Sequence, residues 1–262
     1  MPVVAVVLLG LLGLAIGSFL NVVIWRVPRG ESVVSPPSHC PSCDAEIAPR
    51  DNVPVVSWLV LRGRCRHCRA QIAWRYPAVE LATCALFVAF AVRFGAHVDV
   101  VAFLYLAAVG VALAVIDFDH KRLPDPLTLP SYVVAAALLG LAAGLGSGGG
   151  GGDYARALIG MAALFGFYGI VWFIYPAGMG LGDVKLAGVL GLYLAWLGWG
   201  QLVVGAFAAF LVGAVVSVAV VLARGGGRKT QVPFGPFMLV GVLIGIYAGH
   251  PLAHSYTHSL TH

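Results

Sequence analysis

Eight stretches of the chain are almost free of polar side chains: 3–26, 77–94, 100–118, 127–145, 155–175, 184–198, 201–223 and 235–250. A bilayer core takes about 20 apolar residues as helix, so each stretch predicts a membrane span, the sixth being short and rich in glycine. Polar positions collect between the spans, above all in an insert over residues 28–76. The organisation read from this pattern is a first transmembrane helix (1–27), an insert (28–76) and a seven-helix membrane core (77–262), an all-α integral membrane protein. The glycine run Gly148 to Gly152 is expected as a flexible loop. No internal repeat is evident. The first span carries no Lys or Arg before Arg26 and is long enough to cross, so it reads as a retained helix and not as a cleaved secretory signal.

Composition supports this pattern. Hydrophobic residues make up 60% of the 262 and charged residues only 10%, with a mean hydropathy of +0.92. A soluble domain carries about 25% charge, and disorder requires the opposite balance, so both classes are excluded. The net charge of +5 does not call for a nucleic-acid partner, because the basic residues follow membrane topology. Arg26, Arg29, Arg50, Arg62, Arg64, Arg66, Arg69, Arg75, Lys121, Arg122, Lys185, Arg224, Arg228 and Lys229 fall on one side of an eight-span arrangement, and only Arg93 and Arg156 on the other. Cationic loops stay in the cytoplasm, which predicts both termini outside and the insert inside.

Within the insert, Cys40-Pro-Ser-Cys43 and Cys65-Arg-His-Cys68 form a pair of CxxC knuckles. Two thiolates per knuckle can complete a tetrahedron around zinc, and an insert too small to bury much apolar surface needs such a staple. Two disulfides are the alternative, disfavoured in a reducing cytosol. His39 and His67 flank the cysteines without being needed as ligands, and Cys84 in the second span reads as a small buried hydrophobe.

Carboxylates at membrane depth are costly and default to function. Asp117 follows an apolar run from Val100 and lies about 26 Å along a core about 30 Å thick, just inside the cytoplasmic boundary. Asp119 and Asp125 lie further out beside His120, Lys121 and Arg122, where ion pairing accounts for them, and Glu80 falls in the first turn of the second span, where a structural role suffices. Asp183 closes Gly178-Met-Gly180-Leu-Gly182-Asp183 on the same face. Two such carboxylates sharing a proton can hydrolyse a peptide bond, one activating water and the other protonating the leaving amine; an ion-binding or proton-relay pair in a transporter uses the same residues. Since Asp117 ends a helix and Asp183 begins one, the helix dipole predicts Asp183 as the more readily ionised member.

Taken together, these residues resemble the bacterial prepilin peptidases, the type IV leader peptidases of the GxGD class of aspartyl proteases. The resemblance rests on Gly17-Ser18-Phe19-Leu20-Asn21-Val22-Val23 with Arg26, both CxxC pairs, Arg75-Tyr76-Pro77 with Glu80, Ile116 to His120 followed by Leu123-Pro124-Asp125, Gly178 to Lys185, and Pro233-Phe234-Gly235-Pro236. It implies a bacterial inner-membrane enzyme, with Asp117 and Asp183 catalytic, that cuts the basic leader from prepilins and pseudopilins at the cytoplasmic face. The four cysteines imply the bifunctional branch, which methylates the new N-terminus with S-adenosylmethionine. No βαβ unit with a glycine-rich turn exists in the insert, so the cofactor residues are not readable. Rival readings are a signal-peptide-peptidase-like or presenilin-like protease, a proton-coupled transporter, or an assembly scaffold. The tetracysteine insert and the Leu-Pro-Asp loop separate the chain from the first, and the absence of paired halves from the second.

Three motifs remain. Asn21 serves equally as a hydrogen-bonding link between helices or in substrate positioning, Pro233 to Pro236 could line the cleft although a rigid turn at a helix start accounts for it, and His250, His254, His258 and His262 are expected in a frayed external tail.

Overall fold

The computed structural model describes residues 1–146, 149–176, 178–224 and 232–260. Among the described residues the chain is helical, with no strand. The α-helices are α1 (Val3–Arg26), the one-turn α2 (Val56–Val60), α3 (Arg75–Phe94), α4 (Val100–His120), α5 (Asp125–Gly144), α6 (Gly151–Ile174), α7 (Leu181–Leu197), α8 (Trp199–Arg224) and α9 (Gly235–Leu260). Every predicted span is present as a helix, within a few residues of its expected ends except that α9 runs on past 250 to Leu260, and α2 lies in the insert. Seven of these helices are long and apolar enough to cross a membrane, making this a multi-pass membrane protein. The remaining predicted span, the sixth, is α7, which has only 17 residues.

Internal contacts divide the chain into two compact units, Met1–Ala112 and Leu113–His262. In the first, α1 packs on α3 through small residues. A Cβ added at Gly13 would lie 2.8 Å from the Cys84 Cα, and one at Gly17 would lie 2.6 Å from the Glu80 Cα, so glycine lets the two backbones approach. Cys84 is half-buried in this seam, near Gly10. Asn21 takes the linking role, its Nδ2 donating to the Gly17 carbonyl and, at 3.2 Å, to the Tyr76 carbonyl at the start of α3. The insert is tied down at both ends. Arg26 Nη1 donates to the Ser32 carbonyl at 2.9 Å and Nη2 to that of Pro36 at 2.7 Å, while the Val55 amide donates to Glu80 Oε2 at 2.7 Å.

In the second unit α7 is the centre, contacted by α5, α6, α8 and α9. Apart from Lys185, every residue from Asp183 to Trp196 is buried, as expected of a helix apolar all round. A helix enclosed by protein need not match lipid thickness, which accounts for its length. Gly160 and Gly191 bring α6 and α7 into backbone contact, and Gly241, Gly245 and Gly249 do the same for α9 against α8. At the far end of α7 the Arg156 guanidinium donates to the carbonyls of Ala195 and Trp196, each at 2.6 Å. Helix-end carbonyls lack partners within the helix, so this arginine, one of two that stood apart from the basic majority, has a structural reason to be there.

Two expectations are corrected. Gly151 and Gly152 are not loop but the opening residues of α6, because Asp153 Oδ2 accepts the Gly150 N–H at 2.8 Å and starts the helix there; Gly148 lies outside the described residues. Nor does the chain fray at Pro251. Ala253 lies against Gly200, and this contact with α8 carries α9 on to Leu260. The side chains of His254 and His258, and all of His262, lie outside the described residues.

Candidate active site and metal centre

Asp117 stands in the last turn of α4 and is 4% exposed. Its Oδ2 accepts the Gly235 N–H at 2.9 Å. Gly235 is the first residue of α9, so the carboxylate faces a helix N-terminus, whose free amides and dipole favour negative charge. Asp183 is the third residue of α7, 8% exposed, and its Oδ2 accepts the Gly180 N–H at 3.0 Å. Both acids therefore meet a helix start. The asymmetry expected from the helix dipole is levelled, because α9 supplies to Asp117 what α7 supplies to Asp183.

Leu123 joins the two. A Cβ on Gly182 would come within 3.0 Å of Leu123 Cβ, and one on Gly235 within 3.3 Å of Leu123 Cδ2 and 2.8 Å of Asp117 Oδ2. The structure thus gathers Asp117, Leu123, Gly182, Asp183 and Gly235 around one point, with the two carboxylates in electrostatic range of each other. Neither forms an ion pair among the described residues. Asp125, by contrast, pairs with Lys185 at 2.7 Å. Buried Tyr168, near enough to feel the Asp183 charge, packs on Phe210 and Phe234 and makes an aromatic wall.

Gly235 is the candidate-site position that sequence reasoning named only as part of Pro233 to Pro236, a segment read first as a turn and second as lining the cleft. The turn is there, but its glycine amide also holds Asp117. The available signal was a Gly-Pro pair opening a helix, where amides point outward unpaired.

In the insert, the Sγ atoms of Cys40, Cys43, Cys65 and Cys68 all lie within 4.8 Å of one another, with Cys40 and Cys68 at 3.8 Å. Tetrahedral thiolates at a metal–sulfur distance of about 2.3 Å stand about 3.8 Å apart, so the set fits a single metal ion. Each cysteine pair sits in the same local fold. The Cys40 amide donates to the Ala45 carbonyl and the Cys65 amide to that of Ala70; Asp44 and Arg69 take positive φ at 54° and 61°. The bridges His39–Glu46 and Arg64–Gln71 close the two turns. A local repeat therefore exists where none was evident, and its trace in the sequence is Cys-x-x-Cys-x-Ala-x-Ile, at Cys40 to Ile47 and at Cys65 to Ile72.

The amides of Cys68 and His67 draw the Cys65 thiol down to about 6. The Ala45 amide pulls Cys43 the same way, yet hydrogen bonds from the thiols of Cys68, Cys40 and Cys65, together with desolvation, push it up to about 12. One thiolate among four close sulfurs keeps protons on its neighbours, and a cation would relieve that conflict. Beside the tetrad, Arg66 and Asp51 make a two-bond pair at 2.7 and 2.6 Å that holds the Asp51 carboxyl below its ordinary range.

Comparison with known proteins agrees with this division. Residues 11–94 match the bacterial peptidase A24 N-terminal domain and residues 104–218 the type IV leader peptidase family. The prepilin leader peptidase/N-methyltransferase of Aeromonas hydrophila is 39% identical over 88% of this chain and 86% of its own. The enzymes of the same name from Myxococcus xanthus and Pseudomonas aeruginosa are 40% and 36% identical over 86% and 88% of this chain, and over 66% and 86% of their own. No solved structure matches. With both halves matched in order and identities well above 30% over most of its length, the chain belongs to the type IV leader peptidase family.

Proposed function

We propose that this protein is a membrane endopeptidase that removes the leader from type IV prepilins and pseudopilins, with Asp117 and Asp183 as its catalytic pair, and then methylates the new N-terminus. The observation that carries the peptidase reading is the gathering of two buried acids from different helices around Leu123, each held by a helix-start amide and neither paired with a cation among the described residues. In such a site one carboxylate takes a proton from water as the oxygen bonds to the scissile carbonyl carbon. The other, protonated, gives its proton to the amide nitrogen as the C–N bond breaks. One water is consumed, and a carboxylate and a free amine result. S-adenosylmethionine is the methyl donor that this second activity requires.

The tetrad is read as a structural zinc site, four thiolates being the donor set that zinc prefers. The distribution of basic residues supports an inner-membrane orientation with both termini outside and the insert and acids at the cytoplasmic face. A prepilin carries a cationic leader ahead of an apolar stem, so its scissile bond lies at that depth. The lipid bilayer is the other partner.

Co-expression with a prepilin tests the peptidase. Wild type is expected to remove the leader and Asp117→Ala and Asp183→Ala to leave it intact, and processing that survives either change overturns the pair. For the metal, elemental analysis of purified protein is expected to find about one zinc per chain, lost in Cys40→Ser.

A further inference from the structure

Beside the last turns of α1 lies a cavity of about 420 Å³, within the roughly 300–1,000 Å³ of small-molecule sites. Phe19, Val22 and Val33 give it apolar walls; Ser18, Arg26 and Asn52 give it polar ones. Two opposite charges attend it. Arg26, only 6% exposed, spends three N–H bonds on the carbonyls of Ser32, Pro36 and Pro37, leaving two of its five donors. Glu80 is not itself in the lining but lies buried directly behind Ser18, which is, its carboxylate hydrogen-bonded by the Ser18 side chain and by the amide of Val55.

A ligand suited to this cavity has an anionic end, a cationic centre and a flat apolar part. S-adenosylmethionine has all three in its carboxylate, its sulfonium and its adenine. The N-terminal unit Met1–Ala112, which holds the cavity, is also the part that lies almost wholly outside the leader peptidase match at 104–218. Among the described residues the insert contains no strand from which a Rossmann-type cofactor site could be built.

We propose that this cavity is the methyl-donor site, with Arg26 taking the carboxylate of S-adenosylmethionine and Glu80 lying near its sulfonium. The proposal rests on the methyl-transfer reading above. Transfer breaks the S–CH3 bond, forms an N–CH3 bond to the amine and releases a proton, so the cation becomes a neutral thioether. A carboxylate near the sulfur therefore binds the donor more tightly than S-adenosylhomocysteine and favours product release.

The full chain in detergent is titrated calorimetrically with each of the two compounds, and prepilin leader removal is run on the same preparations. Glu80→Gln keeps an acceptor for the Val55 amide and removes the charge. It is expected to weaken S-adenosylmethionine binding about tenfold and to leave S-adenosylhomocysteine within about twofold. Val22→Trp, or Val33→Trp where the first fails to fold, fills the cavity and is expected to abolish binding of both, with leader removal retained. Three results overturn the proposal: unchanged binding in the filled variants; equal weakening of both compounds by Glu80→Gln; and no binding to a wild type that still removes leaders. The last also removes the methyl-transfer reading while leaving the peptidase intact.

Discussion

Asp153 and Asp183 occupy the same local position in two helices. Each is the third residue after a glycine cap, and each accepts that glycine's N–H, at 2.8 and 3.0 Å. Their surroundings differ. Asp153 keeps 36% of its side chain exposed and pairs at 2.7 Å with Arg156, which in turn holds the last carbonyls of α7. Asp183 is buried at the other end of α7, pairs with no cation among the described residues, lies beside Leu123 through Gly182 and feels the charge of Asp117. A glycine followed three residues on by an aspartate is a helix-starting device in both cases. Only at Asp183 does the capping carboxylate also lie within electrostatic range of a second acid, so the cap by itself says nothing about chemistry.

Four substitutions probe that contrast. Asp183→Asn keeps the cap and removes the titrating oxygen; leader removal is expected to fall by about 10³-fold or more while the protein still purifies folded, as read by prepilin mobility on gels. Gly235→Ala places a methyl group 2.8 Å from Asp117 Oδ2, and cleavage is expected to drop about 10- to 100-fold with unchanged thermal unfolding. Arg156→Met leaves the α7 carbonyls and Asp153 without their partner, and is expected to destabilise by about 1–3 kcal/mol in denaturant titration with specific activity unchanged. Asp153→Asn, the direct counterpart of the first, retains an acceptor for Gly150 and is expected to cost about 0.5–1 kcal/mol, again with full cleavage. Loss of cleavage in Asp153→Asn, or its retention in Asp183→Asn, would erase the distinction between the two helices.

Much of the membrane architecture was legible because lipid imposes it. A segment without polar side chains has few ways to satisfy its backbone in a bilayer other than as a helix, and all eight predicted spans are helices, seven of them within a few residues of their expected ends and the last running on past 250 to Leu260. Errors arose where a local cap or a tertiary contact overrode the composition of the segment. Gly151 and Gly152 look like linker until Asp153 is seen reaching back, and Pro251 looks like a terminus until Ala253 is seated on Gly200. In the site, Asp117 and Asp183 stood out because carboxylates are rare at membrane depth, whereas Gly235 contributes only a backbone amide and every residue but proline has one.

From the order of its residues alone, this protein is committed to membrane helices, to a four-cysteine insert and to two acids at span ends. Hydropathy, thiol spacing and the cost of charge in lipid are local properties that need no fold to act. The tertiary structure decided that α7 is enclosed by its neighbours, that α9 begins against Asp117, and that Arg26 lines a cavity in the N-terminal unit whose Ser18 bonds buried Glu80. Those outcomes depend on which helices touch, and helix contact is set by small residues and shape complementarity, which leave almost no trace in a hydropathy pattern.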